Sequence, residues 1–432
     1  MTFLTTCNIR LEYFVGNIKN MLDIKFIREN PEVVREGARK KQMDPGVIDR
    51  LLDADKKRRQ LTKEAEDLRA RRNLLTKDSR EEGLKIKEEI KKIEPQLKEA
   101  EEDFKKLMYE IPNYPASDVP YGEGEADNVV ISQVGQIPSF SFTPKDHAAL
   151  GKDLDLVDLE RGVKIGGFRS FFTKNELVSL EYGLLDYALK LIAGKGFTPM
   201  TVPWMVKPDY FLGTGYFPWG QEDHYATQDG LNLIGTAEVS LTSYFADEVL
   251  KEEDLPVKLA GISPCFRREV GTYGKDMGGI FRIHQFNKVE QVVLCKDDPQ
   301  ESITWHEKMR GYAEELLTAL KLPYRVLLMC TGDMGGGQKK KYDLETWFPS
   351  QNKYRETHSD SYFWDFQARR LNIRYKTKGG EIRFVHTLNN TVVATPRILG
   401  AILENYQKAD GSVSVPEVLR PYVGKDTITP KS

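Results

Sequence analysis

Between residues 47 and 111 the apolar positions fall into two ordered runs. The first holds Val47, Leu51, Ala54, Leu61, Ala65, Leu68 and Leu75, with Arg58 and Arg72 filling the gaps in a 4,3 rhythm. The second, Ile86, Ile90, Ile93, Leu97, Ala100, Phe104, Leu107 and Ile111, is spaced 4,3,4,3,4,3,4. An apolar residue roughly every 3.5 positions draws one seam along a helix, the pattern of a coiled coil. Ser79–Gly83 interrupts the seam, which predicts two long helices folded back as an antiparallel hairpin. Pro95 falls inside the second helix and should kink it, because proline removes a helical hydrogen bond.

Beyond the hairpin the pattern changes. IPNYPASDVPYGEGEADN (111–128), rich in Pro, Gly and acid, reads as a linker. From about 130 to 425 helix-like and strand-like stretches alternate irregularly. LVSLEYGLLDYALKLI (177–192) and HEKMRGYAEELLTAL (306–320) have helical periodicity. LPVKLAGISPCFRRE (255–269), FRIHQFNKVEQVVL (281–294), YRVLLM (324–329) and EIRFVHTL (381–388) read as strands, without one helix between each pair. That arrangement predicts an α+β domain on a mostly antiparallel sheet flanked by helices, rather than a doubly wound sheet. The expected organisation is an extension over 1–20, a helical domain over 21–111, a linker over 112–128, a globular domain over 129–425 and a tail over 426–432. No internal repeat, P-loop or GxGxxG motif opening a helix is present.

Charge modifies this picture locally. The chain of 432 residues carries a net charge of −2, so any nucleic-acid binding must use basic patches. The hairpin supplies one: residues 50–80 hold 11 Lys and Arg against 6 Asp and Glu, while 81–111 hold 7 against 10. A solvated charged face is the plain explanation of such runs. A long hairpin with little core of its own also suits an arm that reaches something large and anionic. Cys7, Cys265, Cys295 and Cys330 have neither metal-type nor disulfide-type spacing, which suits a reducing cytoplasm. The six histidines form no zinc motif, so no zinc is expected. No apolar run approaches the roughly 20 residues of a membrane helix, and the N-terminus lacks the pattern of a signal peptide.

Four segments carry candidate chemistry. In FRREVGTYGKDMGGIFRIHQFNKVEQ (266–291), a period of two from Ile280 puts Arg282, His284, Phe286, Lys288 and Glu290 on one face and Phe281, Ile283 and Val289 on the other. Arg267 and Glu269 also share a face, and the glycine-rich middle reads as a long hairpin loop. Arginines beside an aromatic suit a phosphate-bearing, stackable ligand; charges that pair across strands are the alternative. LIGTAEVSLTSYF (233–245) sets Thr236 and Ala237 beside Glu238: either a small polar or ammonium-bearing substrate site, or a helix start capped by Thr236. In YRETHSDSYFWDFQARR (354–370), strand periodicity puts Glu356, His358 and Asp360 on one face and Thr357, Ser359 and Ser361 on the other. Carboxylate with hydroxyl is hard-oxygen chemistry suited to Mg²⁺. His358 reads as structural, since nothing marks a nucleophile for it to activate. In EIRFVHTLNNTVVATPRILGAILENYQ (381–407) a strand leads into a helix, with Thr395 as N-cap and Pro396 at the first helical position. Arg397 then lies in the first turn, either as a phosphate ligand or as a surface arginine.

Together these segments resemble a known family. FRRE…GGIFRIHQFNKVEQ is similar to motif 2 of the class II aminoacyl-tRNA synthetases, and KGFTPMTVPWMV to motif 1, the dimer-forming segment. NNTVVATPRILGAILENYQKADGSVSVPEVLRPYVG resembles motif 3 and the C-terminal end of the bacterial-type seryl-tRNA synthetases. The TAE triplet, DFQARR and MLDIKFIRENPEVVREG are also of seryl type, so the resemblance spans Met21 to about Gly424. It implies a cytoplasmic homodimer that forms seryl-adenylate from L-serine and ATP. The seryl group would then pass to the 3′ end of tRNA(Ser), and of tRNA(Sec) where present.

By the same resemblance Thr236, Ala237, Glu238, Glu290, Asn389 and Thr391 hold serine. Arg267 bridges its carboxylate and the α-phosphate, and Arg267 and Arg397 are the catalytic residues. Glu269 and Phe286 take the adenine, with Arg268 and Ile283 nearby. Arg282 and Arg397 hold the outer phosphates. Thr357 and His358 flank the ATP site, and Glu356 with Ser359 binds Mg²⁺. Arg69, Arg71 and Arg72 face the tRNA, whose long variable arm the hairpin recognises. The chain departs from the family pattern at Arg268, Gly278, His358, Asp360 and Tyr362. Two rivals remain: a ligase loading a carrier protein, which the hairpin argues against, and a non-catalytic RNA-binding homologue, from which Arg267, Glu290 or Arg397 would be missing.

Overall fold

The computed structural model describes residues 23–75, 79–270 and 279–430, so the expectations for residues 1–20, Met21 and the glycine-rich segment 271–278 lie outside the described residues. The chain divides into two compact units, the boundary falling between Tyr114 and Pro115 in the sequence.

In the first unit two short helices, Ile24–Glu29 and Pro31–Lys40, precede the hairpin of α1 (Gly46–Asn73) and α2 (Arg80–Glu110). The seam forms as its spacing predicts: Leu61, Ala65 and Leu68 of α1 and Ile86, Ile90 and Ala100 of α2 are buried. α2 runs through Pro95 as a single helix. The pattern did not reveal Asp55, next to Ala54, which is 0% exposed. Its carboxylate accepts from Arg59 Nε at 2.9 Å and Arg58 Nη2 at 3.1 Å, with Arg28 at 3.6 Å. Arg58 fills its place in the rhythm by lying over the Phe104 ring at 4.3 Å, its stem covering apolar surface. Towards the tip the seam opens, and Arg72, Leu74 and Leu84 are exposed.

The second unit is built on an eight-stranded sheet. Its strands are β1 (Val129–Val134), β2 (Thr198–Thr201), β3 (Val257–Phe266), β4 (Gln285–Cys295), β5 (Tyr324–Leu328), β6 (Lys340–Phe348), β7 (Lys353–Trp364) and β8 (His386–Ala394). Their order is β1-β5-β6-β7-β8-β4-β3-β2, antiparallel throughout except for the parallel edge pair β2/β3. This is the mostly antiparallel sheet the strand spacing predicts. Four further helices matter: α3 (Glu176–Gly194), the short α4 (Glu238–Thr242), α5 (Pro299–Ala319) and α6 (Thr395–Asn405). Val289, Val293 and Leu388 pack with Leu184 of α3, Leu317 of α5 and Ile398 of α6 in the main core. Alternation turns Glu290, Val292 and Leu294 to the opposite face, where Val292 and Leu294 join a smaller core with Phe211 and Leu241.

Three boundaries differ from the sequence expectation. The presumed linker is in part a strap on the second unit: Ala116 N–H donates to the Lys339 carbonyl at 2.8 Å, and Asn128 Nδ2 to Asp333 at 2.7 Å. Its prolines and glycines shape an ordered path rather than a loose one. The presumed tail also belongs to the fold, since Thr427–Ile428 pairs with Val413–Ser414 and Ile428 is buried. The helix expected from 306 starts at Pro299, capped by Asp298, whose side chain accepts from Gln300 N–H. Among the described residues no helix is long and apolar enough to cross a membrane.

Candidate active site

β3 and β4 form the antiparallel pair expected from 255–294, with Gly261 opposite Glu290 and Phe266 opposite Gln285. The strand, however, begins at Gln285, not Ile280; residues 279–284 are turns and bends. Strand alternation therefore does not place Arg282. It reaches the site through an ion pair with Glu269 at 2.8 Å. Glu269 itself adopts φ +55°, a left-handed conformation unfavourable to a residue with a side chain. Arg267 follows the end of β3, donates from Nε to the Gly235 carbonyl at 3.2 Å, and holds its guanidinium 5.3 Å from the Phe286 ring. Arg267, Glu269, Arg282, Ile283 and Phe286 all line one cavity of about 130 Å³. Phe281, expected on the packed face, lines it too, with the Arg397 guanidinium 4.9 Å from its ring.

On β7 the expected faces are overturned. Glu345 pairs with Glu356 and Leu344 with His358, so Thr357 is an extra residue, a β-bulge. A bulge resets the alternation, and Glu356, Thr357 and Ser359 all line the cavity although three positions separate the first and last. His358 points away. It is buried, its Nε2 donates to the Val392 carbonyl at 3.1 Å, and its Nδ1 accepts from Thr357 Oγ1 at 2.9 Å. Burial pushes its pKa down to about 4, so the ring is neutral at physiological pH. Asp360 is likewise sealed on the far side, beside His306 of α5.

The phosphate end of the cavity is strongly polarised. Arg397, in the first turn of α6, donates to the Glu356 carbonyl at 2.7 Å and to its Oε2 at 3.2 Å. Thr395 does not cap that helix; its hydroxyl donates to Glu181 at 2.9 Å, and Ala394 holds the cap position. Partial desolvation works against ionisation of Glu356, whose side chain is still 46% exposed, but Arg397, Lys341 and Arg267 outweigh it and hold its pKa down at about 2. Ser359 lies across the ladder from Asp343, whose Oδ1 is buried without a hydrogen-bond partner among the described residues. An ionised carboxylate, a hydroxyl and a nearby unsatisfied carboxylate oxygen are a donor set that fits Mg²⁺.

At the other end two buried carboxylates face the cavity under different conditions. Glu290 forms an ion pair with Lys288, and Thr391 Oγ1 donates to its Oε2 at 3.4 Å. Lys288 also donates to Thr236 Oγ1 at 2.7 Å, and the Thr236 hydroxyl accepts from Glu238 N–H, but Ala237 rather than Thr236 holds the N-cap position of α4. Among the described residues Glu238 has only neutral side-chain donors, Tyr216 and Gln367, and burial pushes its pKa up to about 7. A Cβ on Gly261 would meet Ala237 Cβ and Leu241 Cδ1 at 3.0 Å, so glycine there lets α4 sit down on the sheet. Ala237 thus packs beneath the cavity rather than lining it. Asn389 and Thr391 line the cavity from β8.

Two expected nucleotide-site residues do not reach this cavity: His358, and Arg268, which is exposed and hydrogen-bonds to the carbonyls of Glu222 and Asp223. Arg69, Arg71 and Arg72 lie on the other unit, where Arg69 meets Glu94 at 3.2 Å and Arg71 meets Glu82 at 3.5 Å. Sequence reasoning missed Tyr216 and Gln367, and gave Lys288 no role although it shares the Glu290 face two residues away. That spacing was the one available signal.

Known proteins resemble this chain over most of its length. The tRNA synthetase class II core domain (G, H, P, S and T) matches residues 222–406. The fold is that of a class II aminoacyl-tRNA synthetase. The seryl-tRNA synthetase N-terminal domain matches residues 21–115. The serine–tRNA ligase of Deinococcus radiodurans is 44% identical over 94% of this chain and 98% of its own length. Among solved structures, seryl-tRNA synthetase from Pyrococcus horikoshii complexed with ATP gives a TM-score of 0.88 at 39% identity, covering 95% of this chain and 100% of its own. The cytoplasmic enzyme of Naegleria fowleri in complex with AMP gives 0.85 at 33% identity, covering 95% and 99%. The chain belongs to the seryl-tRNA synthetase family.

Proposed function

We propose that this chain is a serine–tRNA ligase that activates L-serine with ATP and transfers the seryl group to tRNA. One serine carboxylate oxygen attacks the α-phosphorus, forming the C–O–P link of seryl-adenylate as the bond to pyrophosphate breaks. The terminal ribose hydroxyl of the tRNA then attacks the seryl carbonyl, and AMP leaves. No side chain serves as a nucleophile; positioning and charge neutralisation supply the rate.

What supports the reading is the contrast between two carboxylates that line the same cavity as Arg267. Glu290 has its charge matched by Lys288 and a hydroxyl donor in Thr391, which suits it to the serine hydroxyl. Glu238 has no cationic hydrogen-bond partner among the described residues, which suits it to the α-ammonium. Arg267 brings the serine carboxylate to the α-phosphate. Phe286 and Glu269 take adenine, Arg282 and Arg397 the outer phosphates, and Thr236 and Asn389 complete the serine end. Glu356 and Ser359 would hold Mg²⁺, which when bound neutralises phosphate charge. The partner is tRNA(Ser), read through its long variable arm by the hairpin and at its acceptor end by the catalytic unit, and tRNA(Sec) where it exists. The working form is a homodimer, as the motif 1 resemblance implies.

Pyrophosphate exchange run with each of the twenty amino acids tests this. Exchange should depend on serine alone; exchange driven equally by another amino acid, or by none, would overturn the reading.

A further inference from the structure

Glu238 is held by a clamp that no sequence motif announces. The Tyr216 hydroxyl donates to its Oε2 at 2.6 Å, and Gln367 Nε2 donates to its Oε1 at 2.8 Å. The Gln367 amide has one possible orientation. Its Oε1 accepts from Thr387 Oγ1 at 2.6 Å, and its Nε2 also donates to the Thr214 carbonyl at 3.0 Å. A flipped amide would face two acceptors with an oxygen. Tyr216 lies just past the short helix Pro208–Thr214, Gln367 lies on the short helix Phe366–Leu371, and Thr387 lies on β8. Two separate segments thus hold one carboxylate that is 4% exposed, and a third, β8, fixes one of them through Thr387.

We propose that Tyr216 and Gln367 are positioning residues for the amino-acid substrate, acting through Glu238 by fixing both carboxylate oxygens while leaving each a lone pair for the incoming ammonium. The inference rests on the reading of Glu238 as the ammonium partner. Its physical basis is that a buried carboxylate is expensive to ionise unless hydrogen bonds favour the charged form. Burial raises Glu238 and Glu290 raises it further, while Tyr216, Gln367 and Lys288 oppose them; the balance lies at about 7. Tyr216, Glu290 and Lys288 are the titratable and charged groups that act most strongly on this carboxylate. Near neutrality the acid and its anion are therefore close in free energy. Removing one donor tips the group towards the neutral acid, which cannot pair with an ammonium.

The test is Tyr216→Phe, which keeps the ring and removes only the donor, with serine-dependent pyrophosphate exchange followed from pH 6 to pH 9. The apparent KM for serine at pH 7 should rise about tenfold, the usual scale for losing a hydrogen bond to a charged group, while the KM for ATP holds. The acid limb of kcat/KM for serine should move to higher pH, and high pH should restore much of the loss. An unmoved acid limb, or equal rises in both KM values, would overturn the clamp. Glu238→Ala separates the two levels of argument. If that variant still activates serine, the ammonium reading fails. If it loses serine while Tyr216→Phe behaves as wild type, the clamp alone fails.

Discussion

The helical arm and the catalytic sheet carry similar residues and use them in opposite ways. On the arm, Arg69 and Glu94 are 46% and 54% exposed, and Arg71 and Glu82 are 61% and 52% exposed. Such pairs are worth about 0–1 kcal/mol each and weaken with salt. On the sheet, Lys288 and Glu290 are 5% and 2% exposed, and both act on the neighbouring Glu238 carboxyl. An exposed charge acts through its summed field, so moving it by an ångström matters little. A buried charge acts through geometry, so losing one partner strands the rest. Substitutions in the sheet should therefore stop the chemistry, and substitutions on the arm should alter only the capture of RNA.

The largest expected effect comes from Arg267→Ala. This arginine would meet serine carboxylate and α-phosphate at once, and loss of one preorganised donor at a developing charge costs roughly 10²–10³-fold. Serine-dependent pyrophosphate exchange should fall by at least that factor, while thermal unfolding stays cooperative. Near-normal exchange would break the comparison at its stronger side. The reciprocal experiment replaces residues 50–110 with a short Gly/Ser loop. Exchange should remain almost intact and tRNA charging should collapse. If the armless protein charged tRNA normally, the hairpin would be a structural appendage only.

The two regions also differed in how far the sequence disclosed them. The arm was legible because a repeated spacing is redundant: Ile86, Ile90 and Ala100 support one another, and a single Pro95 does not cancel the signal. Asp55 escaped because an acidic residue beside a charged run looks solvated until its three arginines are seen around it. In the sheet, the alternation rule found the Arg267–Glu290 hairpin but failed on β7, where one inserted residue at Thr357 reversed every face before it. Local periodicity contains no term for a bulge. The family resemblance still named Glu356 and Ser359 together, as the bulge requires, yet it also carried His358 into a site from which its own hydrogen bonds remove it. Tyr216 and Gln367 were out of reach, because each is a lone residue whose importance exists only at Glu238.

A smaller effect sharpens the contrast from behind the site. Asp360 is 0% exposed, neither carboxylate oxygen has a hydrogen-bond partner among the described residues, and Asn390 Oδ1 across the ladder is also unsatisfied. Burial pushes the Asp360 pKa well above the usual carboxylate range. A raised folded pKa means its contribution is intact below the unfolded value near 4 and is lost as pH rises towards the folded value. Asp360→Asn removes that loss and offers Asn390 a donor. It should stabilise the protein by about 1–2 kcal/mol at pH 8, a few degrees in Tm, with the gain shrinking towards pH 4. A gain that did not depend on pH would mean that Asp360 is not the group being titrated.

The smallest change to the folded protein, and the most specific to the arm, is neutralisation of Arg69, Arg71 and Arg72 to glutamine. All three are exposed, and Leu74 and Leu84 beside them are exposed as well, so little packing depends on their charges. Stability should shift by no more than about 0.5 kcal/mol, as for most surface substitutions. RNA binding responds differently, because each phosphate neutralised by a cation releases condensed counterions. The slope of log affinity against log salt should therefore fall by up to about 0.9 for every arginine–phosphate pair removed, or roughly 2–3 for the triple variant. Serine-dependent pyrophosphate exchange should not change, since none of the three lines the cavity. Binding measured between low and high salt separates two causes of weaker affinity. A parallel downward displacement with an unchanged slope would mean the arginines shape the helix tip without touching phosphate. Lines that converge at high salt would mark them as the electrostatic face of the arm.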